Sequence, residues 1–547
     1  MPVLRLVPKG CVDAIFGEVI QDDCPHFASL SNLVPAPDTP TQWVPRPGFT
    51  RYAGSGVNGY WSCYCIVNSV VYGMINDWYN GSGNDYPVAY NLLSQTFVTV
   101  SGYNNSNTPT SPGAGAWVAP HAENIGAKVI ITHSGYNGSG NGFFGVIDIS
   151  NPAAPSYTSG NTSTNALASP PVWVSEFNSR AYYFVTPGSS TPPAVYISDN
   201  FANGGPTSRG AAVAGAILTF GNNVPVLGAA KQTVNTTVGG ALSALFVFQD
   251  AAQGNANIYQ ITGDPGTSDW ALNPLNAGTS ATGANTIVST PKGIMFMAPD
   301  GVRMVSQQAT VSDPIGFGGT GITVPFISCT APSRAAAACN GTTYRICTQN
   351  GSVSGAPNQE WCYDLTRNIW YGPHTPGFGL IAPFGQSFVT ADLPNGILGL
   401  GSTTLIPNGS SVYTDFSLAY TCSYISTLIP DRREITMLSS VKAVMYIGYG
   451  AGTTTFFFTF EDINENTLGA NSLQVSGGAP PSWGSFTWGS GAPLSISSAI
   501  SPLEIPLAAP VVFDRMSFEA TFTAALGIRL GITHIEYQPT MYTVRNP

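Results

Sequence analysis

The chain has 547 residues and a formal net charge of −10; only 9% of its residues are charged, while 43% are hydrophobic. That length predicts two or three domains, and the apolar content excludes wholesale disorder. No Lys or Arg occurs between Arg51 and Lys128 and no basic patch is visible, which disfavours stable DNA or RNA binding, since that needs clustered cations to neutralise phosphates.

With 61 glycines and 43 prolines, the composition suits many short strands and turns and suits long helices poorly. Sparse charge also predicts that much of the surface is hidden in a larger assembly. Residues 1–50 read as a Pro-rich amino-terminal arm. Prolines crowd the stretch from Pro35 to Pro47 and argue against a helix or a central strand there, so the arm leads into the first blade or packs on a neighbour. The start lacks the apolar stretch of a secretory signal, and no run reaches the ~18 apolar residues of a membrane helix. The expectation is a soluble, unexported chain without stable membrane association.

Residues 51–417 repeat one theme, an apolar-aromatic run, a Gly, Asn, Pro or Ser turn, then another run. Such runs read as strands over Tyr60 to Ile75, Phe97 to Val100, Lys128 to Thr132, Phe143 to Ile149, Ala181 to Val185, Ala194 to Ser198, Thr343 to Cys347 and Glu360 to Tyr363. Leu245 to Phe248 and Ile258 to Ile261 flank a polar loop. Gly293 to Ala298 and Val302 to Val305 flank Pro299, Asp300 and Gly301, whose fixed φ and αL-tolerant glycine suit a tight hairpin. Tips near Ser82, Ser139, Ser189, Gln253, Pro299, Ser352 and Asn395 recur roughly 45–65 residues apart, the period of a β-propeller with four short strands per blade. Seven tips fit six or seven blades, and about six is the reading adopted. No sequence signature recurs at a fixed offset.

Residues 418–547 change character. The charged cluster Arg432, Arg433 and Glu434 precedes longer alternating strands at Val441 to Tyr449, Thr454 to Glu461, Met516 to Phe522 and Ile528 to Tyr537, which predict a β-sandwich or sheet platform. The fold class expected is all-β.

Local chemistry is scarce. Gly140 to Gly145 matches GxGxxG, but a dinucleotide site needs a helix to open there and Phe143 to Ile149 reads as a strand. The five histidines (His26, His121, His133, His374, His534) stand singly, without metal-ligand spacing; His121 with Glu123, and His133 with Asp148, could meet in space by chance. Asp22 with Asp23, and Glu461 with Asp462 and Glu465, are the carboxylate groups a glycosidase reading would use. The stretch from Asp462 to Thr467 is similar to a calcium loop but has Thr467 where that loop needs glycine. No GxSxG elbow occurs. Asn80 and Asn408 head Asn-Gly-Ser triplets that read as turns. Nine cysteines (Cys11, Cys24, Cys63, Cys65, Cys329, Cys339, Cys347, Cys362, Cys422) lack CxxC spacing and read as reduced core-filling side chains, with zinc as the sharper alternative. No catalytic, cofactor-binding or metal residue is assigned, and no cofactor is expected.

Several stretches, in order, resemble the tail nozzle or tail hub (DNA-stabilisation) proteins of short-tailed bacteriophages: Pro45 to Phe49 with Tyr60 to Ile75, Phe177 to Tyr183 with Tyr196 to Asp199, Phe246 to Gly263, Gly293 to Val305, and Tyr363 to Leu365 with Trp370. The likeness covers roughly residues 40 to 375. It implies a non-enzymatic virion protein, made in the host bacterial cytoplasm, whose propeller-bearing subunits form a homo-oligomeric ring, a hexamer. The ring would sit below the portal and adaptor, line the DNA exit channel, retain packaged DNA until ejection and anchor tail fibres or spikes, with genomic DNA passing transiently and without sequence preference. The family's gate lies in loops without a transferable motif, so lumen and gate residues stay unassigned. The alternative is a receptor-binding or polysaccharide-degrading tail protein. A third reading, a propeller enzyme such as a lyase, predicts His, Asp and Glu gathered at the propeller axis.

Overall fold

A computed structural model of the chain describes residues 3–6, 23–24, 27–36, 42–55, 60–76, 84–110, 120–138, 142–160, 167–186, 192–203, 205–207, 217–235, 241–265, 267, 270–316, 321–351, 357–391, 397–401, 414–415, 418–426, 436–447, 453–462, 466–476, 499–505, 511–513, 516–523 and 528–539. Among these residues, seven antiparallel sheets follow one another along the chain, each beginning with an inner strand: Tyr60–Val67, His121–Ile125, Pro171–Phe177, Val226–Asn235, Val288–Thr290, Ala336–Cys339 and Leu380–Phe384. Each inner strand packs on the next, and the last returns to the first. The fold is therefore a closed β-propeller. It has seven blades where about six were expected.

All seven hairpin tips mark a blade each, so seven is the better reading of them, and the last blade closes the ring. Blade 7 takes three strands from residues 380–401 and its fourth, Phe49–Arg51, from the amino-terminal side, paired antiparallel with Leu398–Gly401. Closure therefore hydrogen-bonds the two ends of the propeller to each other. Phe49 packs edge-on against Phe378 at 4.6 Å.

Strands are buried on both faces, which is why they read as continuous apolar runs. In Lys128–Thr132, Val129 and Ile131 face Tyr72 and Met74 of blade 1, while Ile130 joins Val174 and Tyr183 of blade 3. In blade 4, Leu245 and Val247 face blade 3, and Phe246 and Phe248 meet Ile294 and Phe296 of blade 5. Fully burying one such side chain is worth about 1.5–3 kcal/mol, so each interblade seam is strongly stabilised. The Pro299–Asp300 turn is as tight as expected: Ala298 pairs with Gly301, whose φ is 133°.

Residues 418–547 contribute to two further large sheets, besides the short pairing of Leu418–Ala419 with Thr414–Asp415. One is five-stranded, in the order Phe27–Ser31, Thr421–Ser426, Met516–Thr523, Thr453–Asp462, Thr467–Ser476; the other is eight-stranded and built around Ile528–Pro539 and Thr436–Ile447. The Pro-rich segment supplies strands to both. Val3–Leu6 pairs with Ile528–Pro539, and Phe27–Ser31 pairs with Thr421–Ser426. Phe456, Phe458 and Phe460 point inward with Phe518 and Phe522, while Phe457, one residue out of phase, is 55% exposed. Leu33 and Trp43 from the eight-stranded sheet share that core, which makes the pair a β-sandwich, and the same cluster runs on into Tyr344, Trp361 and Trp370 of blade 6.

Candidate functional sites at the axis and the junction

The inner strands surround an axial cavity of about 430 Å³. Its wall is mostly small and apolar, as at Ala229, Ala336 and Ile287, with a polar edge from His121, Glu123 and Lys231. His121 and Glu123, two apart on one strand, share a face and do meet: Nε2 lies 3.6 Å from Glu123 Oε2, and the imidazole stacks on Trp173 at 3.5 Å. Lys231 is neutralised by Glu176, Nζ to Oε2 at 2.6 Å. Burial pushes the thiols of Cys65 and Cys339 up, away from the reactive thiolate.

The second pair read from the sequence does not form. His133 donates from Nε2 to Asp85 Oδ2 at 2.9 Å, both side chains fully buried, while Asp148 binds Ser150. His133 Nδ1 accepts from the Gly135 N–H, which fixes that tautomer.

The densest polar site lies where blade 6, the closing strand and the sandwich meet. Arg46, 1% exposed, forms a two-pronged ion pair with Asp415; it also donates from Nε to Asn32 Oδ1 at 2.9 Å and from Nη2 to the Thr375 carbonyl, and lies 4.3 Å from the Tyr420 ring centroid. Asp415 also accepts the Phe49 N–H at 3.2 Å. Asn32 takes φ = 56°, which asparagine tolerates better than most residues. It donates its N–H to His374 Nδ1 at 3.1 Å and its side-chain amide to the Thr421 carbonyl at 2.7 Å. Deeper in blade 6, Arg345 pairs with Glu360 at 3.3 Å.

Glu360, Cys362 and His374 offer ligand-type atoms within 4.8 Å of one another, all buried. A neutral imidazole that accepts at Nδ1 carries its proton on Nε2, so the free corner of this ring is a donor with no lone pair for a metal. Two guanidiniums, Arg46 and Arg345, add repulsion to any cation. Burial first, then those guanidiniums, holds His374 well below its ordinary 6.5, which keeps it neutral. The cluster reads as a buried polar seam in which His374 Nε2 and Glu360 Oε2 have no hydrogen-bond partner among the described residues.

The remaining sequence candidates are dispersed. Phe144–Asp148 is a strand, so no helix opens after Gly142; Gly140 lies outside the described residues. Asp23 and His534 sit in strands, Glu461 lies opposite Ser517 in the five-stranded sheet, and Asp462 ends its strand. His26, Asp22, Glu465, Cys11, Asn80 and Asn408 lie outside the described residues. Cys63, Cys347, Cys362 and Cys422 are free and buried. Sequence reasoning missed Arg46, Asp415, Asn32 and Glu360. The one local signal was a lone arginine between Pro45 and Pro47 in an otherwise uncharged stretch.

Neither a protein-family model nor a curated protein matches the sequence. Among solved structures, the chain is similar to BamB from Moraxella catarrhalis (9% identity, 69% of this chain and 96% of that one, TM-score 0.36). It is also similar to BBS1N in complex with ARL6DN (10%, 57% and 95%, TM-score 0.27) and to a GH62 hydrolase in complex with xylotriose (11%, 78% and 90%, TM-score 0.19). At these TM-scores the likenesses add nothing to what the sheet order and the closed ring of strand contacts already show.

Proposed function

We propose that the chain is a structural subunit of the tail nozzle of a short-tailed bacteriophage, a non-enzymatic virion protein assembled as a sixfold ring around the DNA exit channel. One observation carries this reading: from Tyr60 onward the segments that resemble the nozzle family fall in order on the blades, while the first, Pro45 to Phe49, runs from the eight-stranded sheet into the closing strand of blade 7. Tyr60 to Ile75 lies in the first two strands of blade 1, Phe177 to Asp199 in blade 3, Phe246 to Gly263 in blade 4, Gly293 to Val305 in blade 5, and Tyr363 to Trp370 in blade 6.

Electrostatics support a wall that DNA passes without being held. The chain carries 19 Lys and Arg among 547 residues and a formal net charge of −10, whereas stable phosphate binding needs clustered cations. A cavity of about 430 Å³ is the size of a small-molecule pocket, far too small for duplex DNA. In this reading the lumen is formed between subunits and the propeller axis is not the DNA path. Contacts with adaptor, portal and fibres or spikes belong to the same reading.

Negative-stain microscopy of the purified chain with its neighbouring tail proteins tests it. Sixfold rings with an axial hole are expected. Trimeric spikes, or turnover of host polysaccharide, would overturn it in favour of the receptor-binding or polysaccharide-degrading alternative.

A further inference from the structure

On the outside of blade 1, residues 101–107 form a loop made only of Ser, Gly, Tyr and Asn. Recognition loops favour this composition, because tyrosine offers a large rigid face at low entropic cost and Ser, Gly and Asn offer adaptable hydrogen bonds. The loop is held at both ends. Ser101 O accepts the Tyr157 N–H at 2.7 Å, Pro109 O accepts the Asp85 N–H at 3.0 Å, and Asn107 O accepts the Tyr157 hydroxyl at 3.0 Å. Internally, Asn104 N–H donates to Asn107 Oδ1, and Asn107 Nδ2 donates to Gly102 O. At Gly102, φ is 84° and a Cβ would lie 2.7 Å from Tyr157 O, so only glycine lets the loop sit this close to blade 2.

This scaffold presents Tyr103, 43% exposed, with its ring centroid 5.8 Å from that of Tyr86. Asn84 and Asn105 flank the two rings. From residue 84 to 110 the only acid or base other than tyrosine is Asp85, which is buried against His133. We propose that this surface binds a neutral oligosaccharide of β-linked pyranoses. All-equatorial substituents leave flat apolar C–H faces that can stack on Tyr103, and the ring hydroxyls match the surrounding amides. Within residues 84–110 a charged ligand finds no exposed counter-charge, and the rigid loop lowers the ordering cost of weak binding. The inference rests on the loop alone and stands whether or not the nozzle reading does.

Saturation-transfer NMR on the full chain, with millimolar cellohexaose and chitohexaose as probes, tests it. Transfer to the ring C–H protons of at least one sugar is expected. Tyr103→Ala should weaken binding about tenfold, as loss of a stacking platform does, while Tyr103→Phe retains it. Leu93→Ala, which removes an exposed apolar side chain from the same blade, should change nothing. No transfer to either sugar, or equal transfer in Tyr103→Ala, overturns the proposal. So does loss of transfer in Leu93→Ala, which would mark mere stickiness. A Tyr103→Ala change in self-association without any sugar signal would make the loop a protein contact and also overturn it.

Discussion

The propeller axis and the propeller–sandwich junction use this chain's few charges in opposite ways. At the axis, Lys231 and Glu176 pair at the surface, with side chains 44% and 25% exposed, and His121 lies beside Glu123 without a hydrogen bond. At the junction, Arg46 and Asp415 are almost wholly buried and, through Asn32, Thr375 and Phe49, tie four separate segments of chain together, their own two included. A partly exposed pair is screened by water and contributes little, whereas a buried charge must be satisfied or the fold fails. The junction is therefore where charge specifies structure, and the axis is where it merely lines a wall.

Breaking the junction should give the largest effect. Asp415→Ala strands the Arg46 guanidinium in the core and should cost about 3–5 kcal/mol, read as a lower urea midpoint. The double variant Arg46→Met with Asp415→Leu should recover part of that loss, because it removes both charges but leaves the Phe49 N–H and the Thr375 carbonyl without these partners. A single-variant loss below about 1 kcal/mol would mean that Arg46 finds water or another partner. Next comes the closing strand. Phe49→Ala leaves a cavity against Phe378 and should cost about 3 kcal/mol, with faster amide exchange in its partner strand Leu398–Gly401. Unchanged exchange there would show that blade 7 holds without its fourth strand.

Acid should also find the junction first. His374 is kept neutral in the fold while the unfolded chain protonates it near 6.5. The unfolded state then binds the extra proton, so stability is present above that pH and falls as pH drops below it, by up to about 1.4 kcal/mol per pH unit. His374→Asn keeps an acceptor for the Asn32 N–H and removes the titration, so its acid limb should be flatter between pH 6.5 and 5. An unchanged slope would assign acid sensitivity to other groups.

Strand content was legible because blade strands are buried on both faces and show as apolar runs. The blade number was legible too, and was undercounted. Each of the seven tips falls between the second and third strands of its own blade, although Ser82, Ser139, Ser189, Ser352 and Asn395 themselves lie outside the described residues. The seven tips already marked seven blades, Asn395 being that of the last, and only the closing strand Phe49–Arg51, borrowed from far upstream, had no local signal. A repeat signature also existed, in the turns. In blades 1 and 3 an Asn-Ser pair, Asn68–Ser69 and Asn178–Ser179, takes positive φ at both positions and joins the first two strands, with a buried tyrosine, Tyr72 or Tyr182, four residues after the Asn. Blades 2, 5 and 7 use two-residue turns at the same place, since Ile125 pairs with Lys128, Thr290 with Gly293 and Phe384 with Ser387. The junction was not legible. Arg46 and Asp415 are 369 positions apart, and no local period links them.

The smallest expected effect is at the axis, and it closes the comparison. Lys231→Met removes a cation from the cavity edge but keeps the aliphatic stem that packs there. Its pairing with Glu176 is near the surface, so the loss should stay under about 1 kcal/mol and shrink further in high salt. Ser289 Oγ donates to the Lys231 carbonyl, a contact the substitution leaves in place. If the variant instead melts as badly as Asp415→Ala, the axial wall is as tightly coupled as the junction, and the division between charges that specify the fold and charges that line it is wrong.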